Sequence, residues 1–367
     1  MIDKLIEQKY SVNIMDLQTI TKNFVQELQD ANTGKKTSLP FIVHEIPGAS
    51  IVPEGKTFQV LKIGGSILQK SRVVSEGGKT IIKTLEEEQL PVFTTKDLFL
   101  STMDKHIDPD LEYLALNFAY PMTPVMRDGV LDGILTNGTK EHAFQGLVGQ
   151  AVGETIELYI QSKYNRKIRV AVANDTICLT MAGLSKYPAT SIAGGIVGTG
   201  LNFAFFLDHT HLVNLEAANF DKFEQSEEGK QIDAQSLTLG RSLYEKETAG
   251  GYLYYHLNLL LTKNQIKHPS IESTKQLDRL ARGNIQKVSK LARSLFEHSA
   301  SLIACEVAGI TNYAKRDMTF VMEGSLFWVG WHYKEMVEEK VKQLTPYTVQ
   351  FEEIKDCGII GAAKLIS

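Results

Sequence analysis

Asp175 stands where a carboxylate can do chemistry. The run 168–173 (IRVAVA) reads as a buried strand, and Asn174-Asp175-Thr176 leads from it into an apolar helical run. In open α/β sheets, ligands collect at such strand ends. The competing reading is that Asn174 or Asp175 only caps the next helix. Two glycine turns offer a second kind of chemistry. Gly64-Gly65-Ser66 and Gly198-Thr199-Gly200 each lie between strand-like runs, where backbone amides can approach a phosphate closely. Glycine turns also simply connect strands. Two of them, each opening a half of the chain, suit two domains that grip one polyphosphate. His209 and His211 have metal-ligand spacing for one strand face, but no third ligand follows, and the pair reads as a surface strand end.

The elements that must position these residues follow from periodicity. Residues 1–30 read as an amphipathic helix, with Leu17, Ile20, Phe24, Val25 and Leu28 at roughly helical spacing, ended by the polar stretch 32–38. Thr57–Ile63 is a strand, and the alternating run after the first glycine turn is its return. Residues 191–197 and 201–207 repeat that plan around the second turn, and 211–215 adds a third strand. The stretch 274–307 is mainly helical and reads as scaffold. Residues 356–363 (DCGIIGAA) make a glycine-flanked turn into a short helix.

Composition narrows the function classes. The chain has 367 residues, 43% hydrophobic and 22% charged, which fits two globular domains and excludes a largely disordered or coiled-coil chain. Lys plus Arg is 39 against 43 for Asp plus Glu, a net charge of −4, so no basic excess exists to neutralise a nucleic acid. Cys178, Cys305 and Cys357 are odd in number and far apart, against a disulfide framework or a cysteine zinc site. The expected protein is cytoplasmic, without a membrane anchor.

In order and spacing, these segments resemble the hexokinase family of the actin-like sugar-kinase superfamily. LKIGGS at 61–66 is similar to its first phosphate loop, FAYP at 118–121 to its sugar-loop signature FSFP, and Thr139-Lys140 to its TK pair. VANDT at 172–176 resembles the catalytic segment and GIVGTGLN at 195–202 the second phosphate loop. VNLEAANF at 213–220, LYEKETAGGYL at 243–253, EGSLF at 323–327 and the closing GIIGAA continue the series.

The resemblance implies an α/β, two-domain actin-like ATPase (ribonuclease H-like) sugar-kinase fold. The small domain is expected at 58–172 with 364–367, and the large domain at 1–57 and 173–363. The implied reaction is ATP-dependent phosphorylation of a hexose, with glucose and its 6-hydroxyl expected, and ATP and Mg²⁺ as cofactors. No nucleic acid or membrane partner is implied, and the chain is expected to be a monomer or homodimer. Asp175 matches the catalytic base. Thr139, Lys140, Asn174, Asp175, Asn202, Glu216 and Glu245 match sugar ligands. Lys62, Gly64, Gly65, Ser66, Thr176, Gly198, Thr199, Gly200, Gly324, Ser325 and Gly361 match nucleotide-side positions.

Four positions depart from the family pattern. Lys62 replaces an Asp that helps hold hydrated magnesium, so no metal ligation by a side chain is expected. Ala119 replaces Ser, Ala217-Ala218 replace Trp-Gly, and Ser242 stands where many members have Gln. Two alternatives follow: a catalytically weak or inactive sugar-binding sensor, and a kinase using another phosphoryl donor.

Overall fold

The structure is a computed structural model that describes residues 14–139 and 141–367. Its strands are β1 (Ile42–Glu45), β2 (Thr57–Ile63), β3 (Ile67–Glu76), β4 (Lys79–Gln89), β5 (Tyr113–Phe118), β6 (Met122–Arg127), β7 (Val130–Leu135), β8 (Arg169–Ala173), β9 (Ile192–Val197), β10 (Leu201–Phe206), β11 (His211–Asn214), β12 (Met318–Glu323) and β13 (Val349–Glu352). They form a six-stranded sheet of order β1-β11-β10-β9-β12-β13, a five-stranded sheet β4-β3-β2-β5-β8, and the hairpin β6-β7.

The chain divides into two compact units. One comprises Ile42–Gly194, Ala204–Asn214 and Ile354–Ser367; the other comprises Met1–Phe41, Gly195–Phe203 and Leu215–Glu353. The span expected for the small domain, 58–172 with 364–367, falls inside the first unit. Residues 42–57, 173–194, 204–214 and 354–363, expected in the large domain, are grouped with it.

In the 42–194 unit, β2 pairs antiparallel with β3 and parallel with β5, and β5 pairs parallel with β8. The central strand β2 is almost wholly buried, as a strand covered on both faces must be. β4 (KTIIKTLEEEQ) is mostly exposed, and its glutamates blunt the sheet edge against further pairing. Sequence patterning did not single out this strand, because it lacks a buried face. In register, Ile63 lies opposite Phe118 and Asn117 opposite Ala173. The carboxyl ends of the three parallel strands are therefore level, and the chain leaves them at Gly64, Ala119 and Asn174. Beneath them is a core that includes Phe93, Phe99, Phe118, Tyr120 and Phe144.

The 215–353 unit is mainly helical. Its longest helix, Gln286–Ala314, spans 29 residues. The helix Ile14–Asn32 belongs to this unit, and the Phe24 ring fills the space a side chain at Gly309 would need. The expected helical stretch 274–307 is two helices, Thr274–Arg282 and Gln286–Ala314, because Gly283 closes the first. The first 13 residues of the helix expected over 1–30 lie outside the described residues.

Candidate active site

In the 42–194 unit, Asp175 opens the helix Asp175–Ala182 directly after β8. The N-cap is Asn174, whose Oδ1 accepts the Thr176 amide at 3.0 Å, and Asp175 Oδ1 accepts the same amide at 2.8 Å. The cap reading is therefore correct for Asn174 and leaves Asp175 as a half-buried carboxylate in the first helical turn. Thr176 is fully buried, and its hydroxyl turns back on Asp175 Oδ1 at 3.3 Å.

Lys62 lies on β2, opposite Asn117 of β5. A Cβ placed on Gly358 would come within 2.8 Å of Lys62 Cδ, 3.0 Å of its Nζ and 2.9 Å of Asn117 Nδ2. Glycine at the start of the Cys357–Ala363 helix thus makes room for both side chains, and Asn117 Nδ2 donates to the Gly358 carbonyl at 3.1 Å. Burial pushes the neighbouring Cys178 thiol well above its usual range; Asp175 adds to that shift and Lys62 opposes it. Both charges are therefore felt at one thiol. Gly361 has a packing role: a Cβ there would run into the Cys178 carbonyl, so the two helices could not approach. The structure places it in that helix contact.

The Gly64-Gly65-Ser66 turn closes through a bond from the Gly64 amide to the Ile67 carbonyl at 3.0 Å. Its Gly64 carbonyl accepts the Tyr120 hydroxyl at 3.0 Å, and its Gly65 carbonyl faces His142 Nε2 at 2.7 Å. Thr139 belongs to the same unit. Its carbonyl accepts the His142 amide at 3.0 Å, and its Oγ1 is buried without a hydrogen-bond partner among the described residues. Lys140 lies outside the described residues.

In the 215–353 unit, the Gly198-Thr199-Gly200 turn joins β9 to β10. The carbonyls of Gly198 and Thr199 accept the Gly250 and Gly251 amides, at 2.7 and 2.9 Å, from the start of the helix Gly250–Lys263. Gly324 packs on this turn at φ +126°, and a Cβ there would strike the Val197 carbonyl. Only glycine serves at that position.

Three expected sugar ligands gather beside the turn. Glu245 Oε2 accepts the Leu201 amide at 2.9 Å. Asn202 Oδ1 accepts the amides of Phe203 and Ala217, at 2.8 and 3.2 Å. Glu216 precedes Ala217, with its backbone in the left-handed region at φ 50°. Ser242, three residues before Glu245, is left-handed too, at φ 49°. Such conformations are costly for residues with side chains and gather at functional sites.

The same turn borders a cavity of about 640 Å³, whose lining includes Thr199, Thr274, Lys275, Asp278 and Ser325. Sequence reasoning took 274–307 as scaffold and missed Thr274, Lys275 and Asp278. Their signal was weak: a Ser273 N-cap before a charged amphipathic helix looks like any surface helix. The His209-x-His211 pair is peripheral. Asp208 pairs with His211 at 2.8 Å in an exposed turn, and no cluster of three metal-ligating side chains exists among the described residues. None of the described helices is long and apolar enough to cross a membrane.

Two family profiles, both described as hexokinase, match residues 3–185 and 260–367. The hexokinase of Kluyveromyces lactis is 24% identical, over 97% of this chain and 88% of its own length. Hexokinase-1 of Saccharomyces cerevisiae is 26% identical, over 70% of this chain and 60% of its own. The solved structure of Schistosoma mansoni hexokinase complexed with glucose superposes with a TM-score of 0.80 at 19% identity, covering 99% of this chain and 98% of that one. The fold is the two-domain actin-like ATPase fold of sugar kinases. The chain belongs to the hexokinase family. It is a sugar kinase, a phosphotransferase that carries a phosphoryl group from ATP to an alcohol group of a hexose. The sugar-sensor alternative is not favoured.

Proposed function

We propose that the hexose is glucose and the acceptor its 6-hydroxyl. The observation that carries this reading is the convergence on one turn. Thr199 borders the 640 Å³ cavity, while Glu245 holds the amide of Leu201 two residues on. A nucleotide pocket and a set of sugar-binding carboxylates and amides thus share a single piece of backbone. Asn202, Glu216 and Glu245 bind sugar hydroxyls, since carboxylates and amide oxygens accept their protons. Asn174, Thr139 and Lys140 are further sugar contacts. The adenosine lies in the cavity, against Ser325 and the Thr274–Arg282 helix.

Asp175 accepts the proton of the attacking hydroxyl. The new bond joins the sugar oxygen to the γ-phosphorus, the bond from that phosphorus to the bridging oxygen breaks, and ADP leaves. The amides of Gly65, Ser66, Thr199 and Gly200 face phosphate oxygens and stabilise charge that builds on them. The residues present do not fit a metal held by the protein at position 62, because an ammonium has no lone pair to give. Magnesium enters as part of the substrate, MgATP. A coupled ADP-release assay over a hexose panel tests the reading: glucose should turn over best and yield glucose 6-phosphate. Turnover confined to another sugar, or phosphate on another hydroxyl, would overturn it.

A further inference from the structure

We infer that His142 is a positioning residue that fixes the peptide plane between Gly65 and Ser66, so that the Ser66 amide faces the nucleotide phosphates. The inference rests on the reading of Gly64-Gly65-Ser66 as a phosphate loop, and it explains how a short, glycine-rich turn is held in one conformation.

His142 is 3% exposed. Its ring stacks on Phe144 with centroids 5.6 Å apart and planes at 21°, and it touches Phe93 at 5.3 Å and Tyr120 at 5.4 Å. Nδ1 lies 2.9 Å from the amide nitrogen of Phe93. That amide can only donate, so Nδ1 accepts and the ring proton sits on Nε2. Nε2 is 2.7 Å from the Gly65 carbonyl and donates to it. The Phe93 amide thereby selects the tautomer that the loop requires.

A trans peptide is planar, with its C=O and N–H pointing in opposite directions. A Gly65 carbonyl drawn onto His142 turns the Ser66 amide away from the aromatic core. Tyr120, donating to the Gly64 carbonyl, does the same for the Gly65 amide. Among the described residues, neither of these two amides has a hydrogen-bond partner. Two adjacent outward amides form an anion-binding concavity. Without the latches, glycine backbone is free to flip these planes and present carbonyl oxygens, which repel phosphate.

Kinetics and binding on the full chain test this. His142→Phe keeps the ring packing and removes both hydrogen bonds; KM for MgATP should rise about tenfold, the scale of two lost hydrogen bonds. The hexose dissociation constant, read from intrinsic fluorescence without nucleotide, should not change. His142→Gln restores a donor at the Nε2 position, whereas His142→Asn restores only the acceptor for Phe93. Gln should recover most of the MgATP affinity and Asn should not, a split that a purely structural role cannot produce. Equal KM values for Gln and Asn, or a wild-type KM in His142→Phe, would overturn the inference. Ser66→Pro deletes the loop amide directly and separates the two levels. If Ser66→Pro leaves KM for MgATP unchanged, the phosphate-loop reading fails. If it raises KM while His142→Phe does not, only the positioning role fails.

Discussion

The two glycine turns have the same task on this reading and are held in different ways. At Gly198-Thr199-Gly200 the carbonyls are pinned by main-chain amides, those of Gly250 and Gly251 at a helix start. At Gly64-Gly65-Ser66 they are pinned by side chains, Tyr120 and His142, lying 56 and 77 residues away from their acceptors. Both devices turn the opposite amides outward. A backbone pin is present whatever side chains the sequence carries, so it resists substitution. A side-chain pin can be weakened, one hydrogen bond at a time, by changing a single residue.

The difference can be probed from the strongest effect to the weakest. Asp175→Ala leaves both turns pinned and removes the proposed proton acceptor. Turnover should fall about 10²–10⁴-fold, while MgATP binding by calorimetry stays within a few-fold of wild type. Unchanged kcat would remove Asp175 from the mechanism.

Gly250→Pro attacks the backbone pin. Proline is tolerated as the first residue of a helix, but it deletes the amide that holds the Gly198 carbonyl, which lies 2.8 Å from a Cβ at this position. Overpacking and a lost hydrogen bond together should lower kcat/KM for MgATP about 10- to 100-fold. A milder effect than that of His142→Phe would show that the backbone pin matters less to MgATP use than the side-chain pin.

Lys62→Asp asks how the side-chain-held turn manages charge. Position 62 would regain the residue that the family pattern has there. A magnesium titration at fixed ATP should shift to lower metal concentration, with a KM for ATP several-fold higher if Lys62 contacts phosphate. Coincident titration curves would place Lys62 outside the phosphate site.

Tyr120→Phe removes one hydroxyl and its bond to Gly64. A single hydrogen bond contributes about 0.5–1.5 kcal/mol, so KM for MgATP should rise about two- to tenfold, with kcat nearly constant.

Glu306→Gln serves as a control for the unit that carries the backbone-held turn. Glu306 is fully buried in the Gln286–Ala314 helix, and both its oxygens lack partners among the described residues. Burial raises its pKa well above the usual value. The folded protein thus keeps the proton that the unfolded chain loses above the ordinary carboxyl range. Stability is full below that range and declines as pH rises towards the folded pKa. The amide should raise Tm by a few degrees at pH 7–8 and flatten its alkaline decline, without moving KM for MgATP. An unchanged Tm profile would mean that Glu306 has a compensating partner.

Much of this was legible in the chain. Thr57–Ile63 could be read as a strand because Phe58, Val60, Leu61 and Ile63 fill a short run that ends at a glycine turn, and Asp175 could be placed at a strand end because IRVAVA stops at Asn174. The glycine turns declared themselves by composition. The edge strand Lys79–Gln89 did not, since solvent imposes no pattern on a strand with no buried face.

By itself, then, the sequence determined the strands and turns around Gly64-Gly65-Ser66, Asp175 and Gly198-Thr199-Gly200 and the residue types available to bind sugar and phosphate, because local periodicity and turn chemistry act over a few residues. Only the tertiary structure decided what those residues touch. It assigned the cap to Asn174, gave Gly361 to helix packing, and put Thr274 and Asp278 in a cavity wall beside Thr199. It also laid the ring of His142 on the carbonyl of Gly65. Contacts of that kind join residues far apart in the chain, and they exist only once the folded core has brought their backbones within hydrogen-bonding distance.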